Sequence, residues 1–235
     1  MKAMLSNTYE GQNPKGWLLS EKLDGVRALW TGSELITRNG NPIAAPAWFT
    51  AALPPIPLDG ELWAGRGLFQ RTVGIVRGKS GTGWEELKFM VFDAPAAAGG
   101  FEQRLATAAQ AITGSPIAQI VAHITCAGRK HLLAHAADMI AAGAEGVMLR
   151  KPGSKYQPRR SSLMLKFKPV ETEEAEVTGH TPGKASLRCR WNGIVFGLAT
   201  ALRPPVGSTV TFQFLGLTDT GKPRSPSFIT VRDYE

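Results

Sequence analysis

Beyond position 170 the sequence offers strands and no helix, which confines its last third to an all-β fold. The runs 175–180, 186–190, 194–198, 209–215 and 228–232 are short, rich in apolar residues and separated by turn formers. Five such strands in about 65 residues fit a small Greek-key barrel of the oligonucleotide-binding (OB) type.

Residues 1–170 read differently. Short strands at 16–27, 27–30 and 34–38 are punctuated by turn signals such as Thr31-Gly32 and Asn39-Gly40. A helical turn is expected at 45–53, and Pro54, Pro55 and Pro57 stop it ahead of a strand at 58–63. The run 87–92 alternates little and reads as a strand buried on both faces. Helices are expected at 102–112 and 130–142. In the second, Leu132, Leu133, Ala136, Met139 and Ile140 supply the apolar face and Gly143 the stop. Strands return at 147–150 and 164–168. The fold class is therefore α+β, with a domain of mixed and antiparallel sheets and helices over 1–170 and an OB barrel over 171–235.

Charge follows the same boundary. The chain holds 27 Lys+Arg against 19 Asp+Glu, a net charge of +8. Residues 1–170 carry 20 basic and 12 acidic side chains, and residues 171–235 carry seven of each, so the whole surplus sits in the first part. Such a surplus favours a polyanionic partner. No apolar stretch approaches the ~18 residues of a membrane helix. The two cysteines, Cys126 and Cys189, are too few for a disulfide scaffold or a cysteine-rich zinc site.

The chemistry is concentrated in Glu21-Lys22-Leu23-Asp24-Gly25-Val26-Arg27, which sets a lysine two residues before an Asp-Gly turn and five before an arginine. Further pieces follow in order: Arg38-Asn39-Gly40, Asp59-Gly60-Glu61-Leu62, Phe89-Met90-Val91-Phe92-Asp93, Glu145-Gly146-Val147-Met148 and Lys166-Phe167-Lys168. The set resembles the covalent nucleotidyltransferases, whose nucleophile motif is K-x-D-G-x-R. Lysine attack on a nucleotide α-phosphate divides one difficult phosphoryl transfer into two easier ones. An ordinary lysine, pKa ~10.4, is neutral in only about one molecule in 2,500 at pH 7, so the site is expected to depress the pKa of Lys22. Lys166 and Lys168, alternate residues of an expected strand, point the same way and would both reach the α-phosphate. Glu61 and Glu145 offer the oxygen ligands that magnesium prefers. Phe92 offers a flat apolar face for a purine.

Within that superfamily the chain resembles the ATP-dependent DNA ligases. The segments SEKLDGVRALW, GNPIAAPAWFT, PLDGELWAGRG and KFMVFD bring it nearest the minimal bacterial group called Lig E. The resemblance implies an ATP-grasp-like adenylation domain (1–170), an OB domain (171–235) and no additional DNA-binding domain. It implies ATP as co-substrate, Mg2+ with Mn2+ as substitute, and nicked double-stranded DNA as the partner of a monomer that needs no protein partner and no membrane. By motif position, Lys22, Lys166 and Lys168 are catalytic. Ser20, Glu21, Lys22, Arg27, Glu61, Phe92, Met148, Lys166 and Lys168 would bind the nucleotide, with Arg27 on the ribose, Phe92 and Met148 around the adenine, and Ser20 and Glu21 near its edge. Glu61 and Glu145 would hold the metal. Arg38 would meet the nick 5′-phosphate, and Lys79, Lys151, Lys155, Arg159 and Arg160 would track DNA. Repair, replication and recombination are the processes such an enzyme serves. The group often carries a periplasmic leader, so the protein is expected in the periplasm if one precedes Met1 and in the cytoplasm otherwise.

Two features imitate other sites. Gly78-Lys79-Ser80 looks like a P-loop ending, but Val73 stands where the first glycine belongs, so 77–83 reads as a basic loop. His131 and His135, one helical turn apart, have neither the adjacent glutamate nor a third ligand, and read as a solvated helix face. Arg224-Ser225-Pro226-Ser227-Phe228 stands where larger ligases carry a pyrophosphate-orienting motif.

Overall fold

Strand-forming residues interrupted by tight turns build three five-stranded sheets, two of which enclose the space where the motif residues meet. The computed structural model describes residues 1–78, 80–168, 171–214, 217–218 and 220–232. The chain forms two compact units, Met1–Phe167 and Lys168–Glu235. In the first unit the order is β1 (Leu5–Thr8), β2 (Leu18–Glu21), β3 (Val26–Trp30), β4 (Leu35–Thr37), α1 (Ala47–Ala51), β5 (Leu58–Trp63), α2 (Phe69–Arg77) and β6 (Lys88–Asp93). It continues with α3 (Phe101–Ala111), β7 (Ala118–Ile120), β8 (Ile124–Thr125), α4 (Arg129–Ala141), β9 (Val147–Arg150) and β10 (Arg160–Phe167).

One sheet has the order β1-β10-β9-β2-β8 and the other β4-β3-β5-β6-β7. Among the described residues only β1/β10 and β6/β7 pair in parallel. The second sheet carries the larger core, in which Trp30, Phe49, Leu58, Trp84 and Phe89 pack together. The first sheet lays Leu19, Val147, Leu149 and Leu165 against Leu132 and Ala136 of α4.

Several expectations need correction. β6 does alternate: Phe89, Val91 and Asp93 are buried and Lys88, Met90 and Phe92 are not, because one side faces the core and the other an open cleft. On α4, Leu132 and Ala136 are buried, whereas Leu133 is 47% and Ile140 40% exposed. The 3.6-residue period puts 132, 136 and 139 on one stripe and carries 133 and 140 off it. β10 ends at Phe167, so Lys168 is not a strand residue and opens the second unit. β1, α2, β7 and β8 were not anticipated. The glycine at position 74 and the lack of a capping side chain hide α2, which holds by burying Thr72 and Ile75.

The second unit is a single antiparallel sheet of β11 (Glu171–His180), β12 (Ser186–Trp191), β13 (Ile194–Ala199), β14 (Thr209–Phe214) and β15 (Ser227–Arg232). Its order is β13-β12-β11-β14-β15, around a core of Val177, Leu187, Leu198, Val210, Phe212 and Phe214. The edge strands β13 and β15 approach each other without a bridging ladder among the described residues, so the barrel is not closed. The expected end of the fourth strand, Leu215, lies outside the described residues, as does Lys79. Cys126 and Cys189 are free and buried, one in each unit. Among the described residues no helix is long and apolar enough to cross a membrane.

Candidate active site

A row of paired residues crosses the first sheet: Lys166 on β10 faces Met148 on β9, and Met148 faces Ser20 on β2. Paired residues of adjacent strands project to the same side. All three line a cleft of about 260 Å3 between the two sheets of the first unit. The opposite wall contributes Arg27, Glu61 and Phe92, and Lys22, Glu21, Arg38 and Arg160 complete it with residues of β1 and β9.

Lys22 sits just past β2, where its amide donates to the carbonyl of Gly146 at 2.9 Å and extends the ladder toward β9. That step brings Glu145 alongside, and the Lys22 ammonium is ion-paired to the Glu145 carboxylate. The Asp-Gly turn after Lys22 serves close packing. A Cβ at Gly25 would collide with the Leu62 carbonyl and the Glu61 side chain, so only glycine lets β3 start this close to β5.

Arg27 forms a two-pronged pair with Asp59, at 2.6 and 2.7 Å, and its guanidinium lies 4.5 Å from the centre of the Phe92 ring. Burial opposes the guanidinium charge, and the pair with fully buried Asp59 outweighs it and holds the proton more firmly than usual. Asp59 also accepts a 2.7 Å hydrogen bond from the Tyr156 hydroxyl, which in turn accepts one from the Met4 amide. Burial and Asp59 together raise the phenol's pKa. Glu61 is pushed up to about 7 by burial, against the pull of Arg27 and Lys22.

Behind the cleft lies an ionic cluster that joins two motif aspartates to arginines outside every motif. Asp59 and Asp93 are direct cross-strand neighbours and both are fully buried. Asp93 is held by Arg104 at 2.7 and 3.1 Å and by Arg150 at 3.0 Å. Two adjacent carboxylates are thus countered by three guanidiniums and a phenol. The readable signal was a charged residue at an inward position of an apolar strand, as Asp93 is in Phe89-Met90-Val91-Phe92-Asp93. Arg104 and Arg150 gave none.

Ser20, Glu21, Lys22, Arg27, Arg38, Glu61, Phe92, Met148, Lys166 and Arg160 therefore meet in one cleft. Glu145 joins them through Lys22. The Glu21 carboxylate is itself taken up by Arg66, with two bonds of 2.8 Å. Lys151 and Arg159 are exposed, and Lys155 lines a separate groove with Arg104 and Tyr156. Among the described residues no three His, Cys, Asp or Glu converge as a complete metal cage. Glu61 and Glu145 both act on Lys22, and an ion that keeps water and takes phosphate oxygens needs only one or two carboxylates.

Comparison with known proteins agrees with this arrangement. Residues 2–168 match the family described as ATP dependent DNA ligase domain, and residues 183–232 match DNA ligase OB-like domain. A DNA ligase of Haemophilus influenzae is 36% identical over 241 residues, covering 96% of this chain and 90% of that one. A Lig E DNA ligase structure superposes with a TM-score of 0.89 at 38% identity, over 99% of each chain. The Chlorella virus DNA ligase-adenylate shares the fold at a TM-score of 0.64 and 24% identity, over 100% of this chain and 99% of that one. The family uses ATP and a divalent metal ion and acts on nicked DNA. The chain belongs to the ATP-dependent DNA ligase family, and is an enzyme that seals nicks in DNA at the expense of ATP.

Proposed function

We propose that Lys22 is the nucleophile that takes AMP from ATP and passes it to the 5′-phosphate of a nick. The observation that carries this reading is the convergence of Lys22, Glu145, Glu61, Arg27 and Lys166 in and around one cleft. In the first step Lys22 Nζ bonds to the α-phosphorus, the bond to the β-phosphate oxygen breaks, and pyrophosphate leaves. The proton lost from Nζ has the Glu145 carboxylate as its hydrogen-bond acceptor. Lys166 would stabilise charge on the α-phosphate oxygens, with Lys168 as its partner in the motif. The 5′-phosphate then displaces Lys22 from AMP, and the 3′-hydroxyl displaces AMP to close the strand.

Arg27, immobilised by Asp59, would present a fixed cation to the ribose, while Phe92 and Met148 border the base. Glu61 and Glu145 would hold Mg2+, with Mn2+ able to replace it; bound there, the ion would neutralise phosphate charge. Arg38 and Arg160, both on the cleft, are assigned to the DNA backbone, with Lys79, Lys151, Lys155 and Arg159 as further contacts. We assign adenylation to residues 1–170 and the OB role to 171–235, in a monomer that needs no protein partner.

The test is incubation with ATP labelled at the α-phosphate. Label is expected on the wild-type protein from ATP and not from labelled GTP or NAD, and none on Lys22→Ala, which also loses nick sealing. Sealing that survives Lys22→Ala would sink the assignment.

A further inference from the structure

The motif residues leave a titratable side chain of the cleft without a task, His123. It lines the cleft yet lies outside every motif. β8 pairs with β2 through Leu18↔Thr125 and Leu19↔Ile124. His123 directly precedes β8, beyond the end of that ladder, and lines the cleft together with Ser20. The paired row Lys166, Met148, Ser20 crosses three adjacent strands, and His123 stands at the start of β8, the strand beyond β2 on the side away from β10. At ~4.8 Å per strand, β10 and β8 stand about 14 Å apart, enough for a nucleotide from α-phosphate to base.

The imidazole is fixed in one hydrogen-bonding state. Nδ1 lies 2.8 Å from the Val121 carbonyl, an oxygen that can only accept, so Nδ1 carries the proton and Nε2 is the acceptor. Val121 is itself anchored, its amide donating to the carbonyl of Val91 at 2.8 Å. The ring also packs edge-on to Phe101, 5.2 Å between centroids. Burial and nearby Arg150 hold the ring neutral, with a pKa lowered to about 4, against the opposing pull of the Val121 carbonyl and Asp93. Nε2 has no partner among the described residues and is not among the buried polar atoms sealed without one.

We infer that His123 reads the six-position of the purine, its Nε2 accepting a hydrogen bond from the exocyclic amine of adenine. The inference rests on the reading of this cleft as the ATP site. A 6-oxo purine would set a carbonyl lone pair against the Nε2 lone pair, and the Val121 bond prevents the ring from exchanging tautomers to relieve it. His123 is therefore a specificity-determining residue that admits adenine and rejects guanine or hypoxanthine.

The experiment compares kcat/KM for protein adenylylation by ATP and by purine riboside triphosphate, which lacks the six-amino group. Wild type, His123→Phe and His123→Gln are each assayed with both nucleotides. The ratio is internal to each variant, so a change in the folded fraction cancels. Wild type is expected to prefer ATP about tenfold, the worth of one hydrogen bond. His123→Phe, which keeps the ring packing on Phe101, is expected to lose the preference, and His123→Gln, which restores an acceptor, to regain part of it. If His123→Phe does not fold, His123→Leu gives the same reading. A variant without an acceptor that keeps the wild-type ratio overturns the inference. Failure of wild type to take label from ATP at all would instead overturn the reading of the cleft.

Discussion

Asp93 shows how a carboxylate buried behind the cleft can hold its wall in shape. It is fully buried beside Asp59 and receives bonds from Arg104 and Arg150, whose side chains are 1% and 5% exposed. Removing one partner from a buried ionic cluster strands the others in a low-dielectric interior. Asp93→Ala should therefore cost about 3–5 kcal/mol in urea unfolding. A loss below about 1 kcal/mol would show that water reaches the arginines. Glu61 carries a different signature. Its folded pKa of about 7 lies above the ordinary carboxylate value, so the folded protein binds this proton more tightly than the unfolded chain. Its contribution to stability is present below about pH 4.5 and is lost as pH rises through 7. In metal-free buffer, Glu61→Gln should gain on wild type between pH 5 and pH 8 by on the order of 1–2 kcal/mol. A pH-independent difference would refute this. At this scale the spacing that chemistry imposes singled out Lys22, Glu61, Glu145 and Lys166 as candidates from the sequence alone. The sequence was illegible where a role comes from tertiary neighbours: Arg104, Arg150, Tyr156 and His123 lie far apart in the chain and belong to no short pattern, and the strand motif that holds Asp93 does not name its partners.

Elements were readable in proportion to their own periodicity. α3 and α4 stand within one or two residues of where they were expected, and β5 and β9 match residue for residue. β1 and β8 are strands only because a neighbour supplies their hydrogen bonds, and four or two residues cannot announce that by themselves. α4 offers a sharp test of the corrected face. Leu132 is fully buried and Leu133 is 47% exposed, although both looked apolar enough for the core. Leu132→Ala should cost about 2–5 kcal/mol, and Leu133→Ala no more than about 0.5 kcal/mol. Equal costs in thermal or urea unfolding would mean that the helix is rotated from the position described. Gly60 illustrates the reverse dependence of element on site, since a Cβ there would meet the Met90 carbonyl at 2.7 Å and force β5 from β6.

For the whole molecule, the surplus of basic residues in 1–170 predicts how DNA is held. Neutralising backbone phosphates releases counterions, so affinity for nicked duplex should fall linearly on a plot of log K against log salt. Arg38→Ala and Arg160→Ala, each read as a phosphate contact, should lower that slope by about one apiece without changing sequence preference. An unaltered slope would remove them from the DNA surface. The helical pattern and the charge count both change near position 170 in the sequence, whereas the open edge between β13 and β15 leaves no such trace, because closure depends on strand curvature that composition does not encode. Cys126 and Cys189 acquire a use from that division. They are the chain's two thiols, buried one per unit, and burial pushes the Cys189 thiol up to about 11, which keeps it protonated and unreactive in the native state. A thiol reagent can then reach each sulfur only when its own unit opens. Single-cysteine variants thereby turn the wild-type side chains into two separate clocks, each timing the opening of one unit of the enzyme.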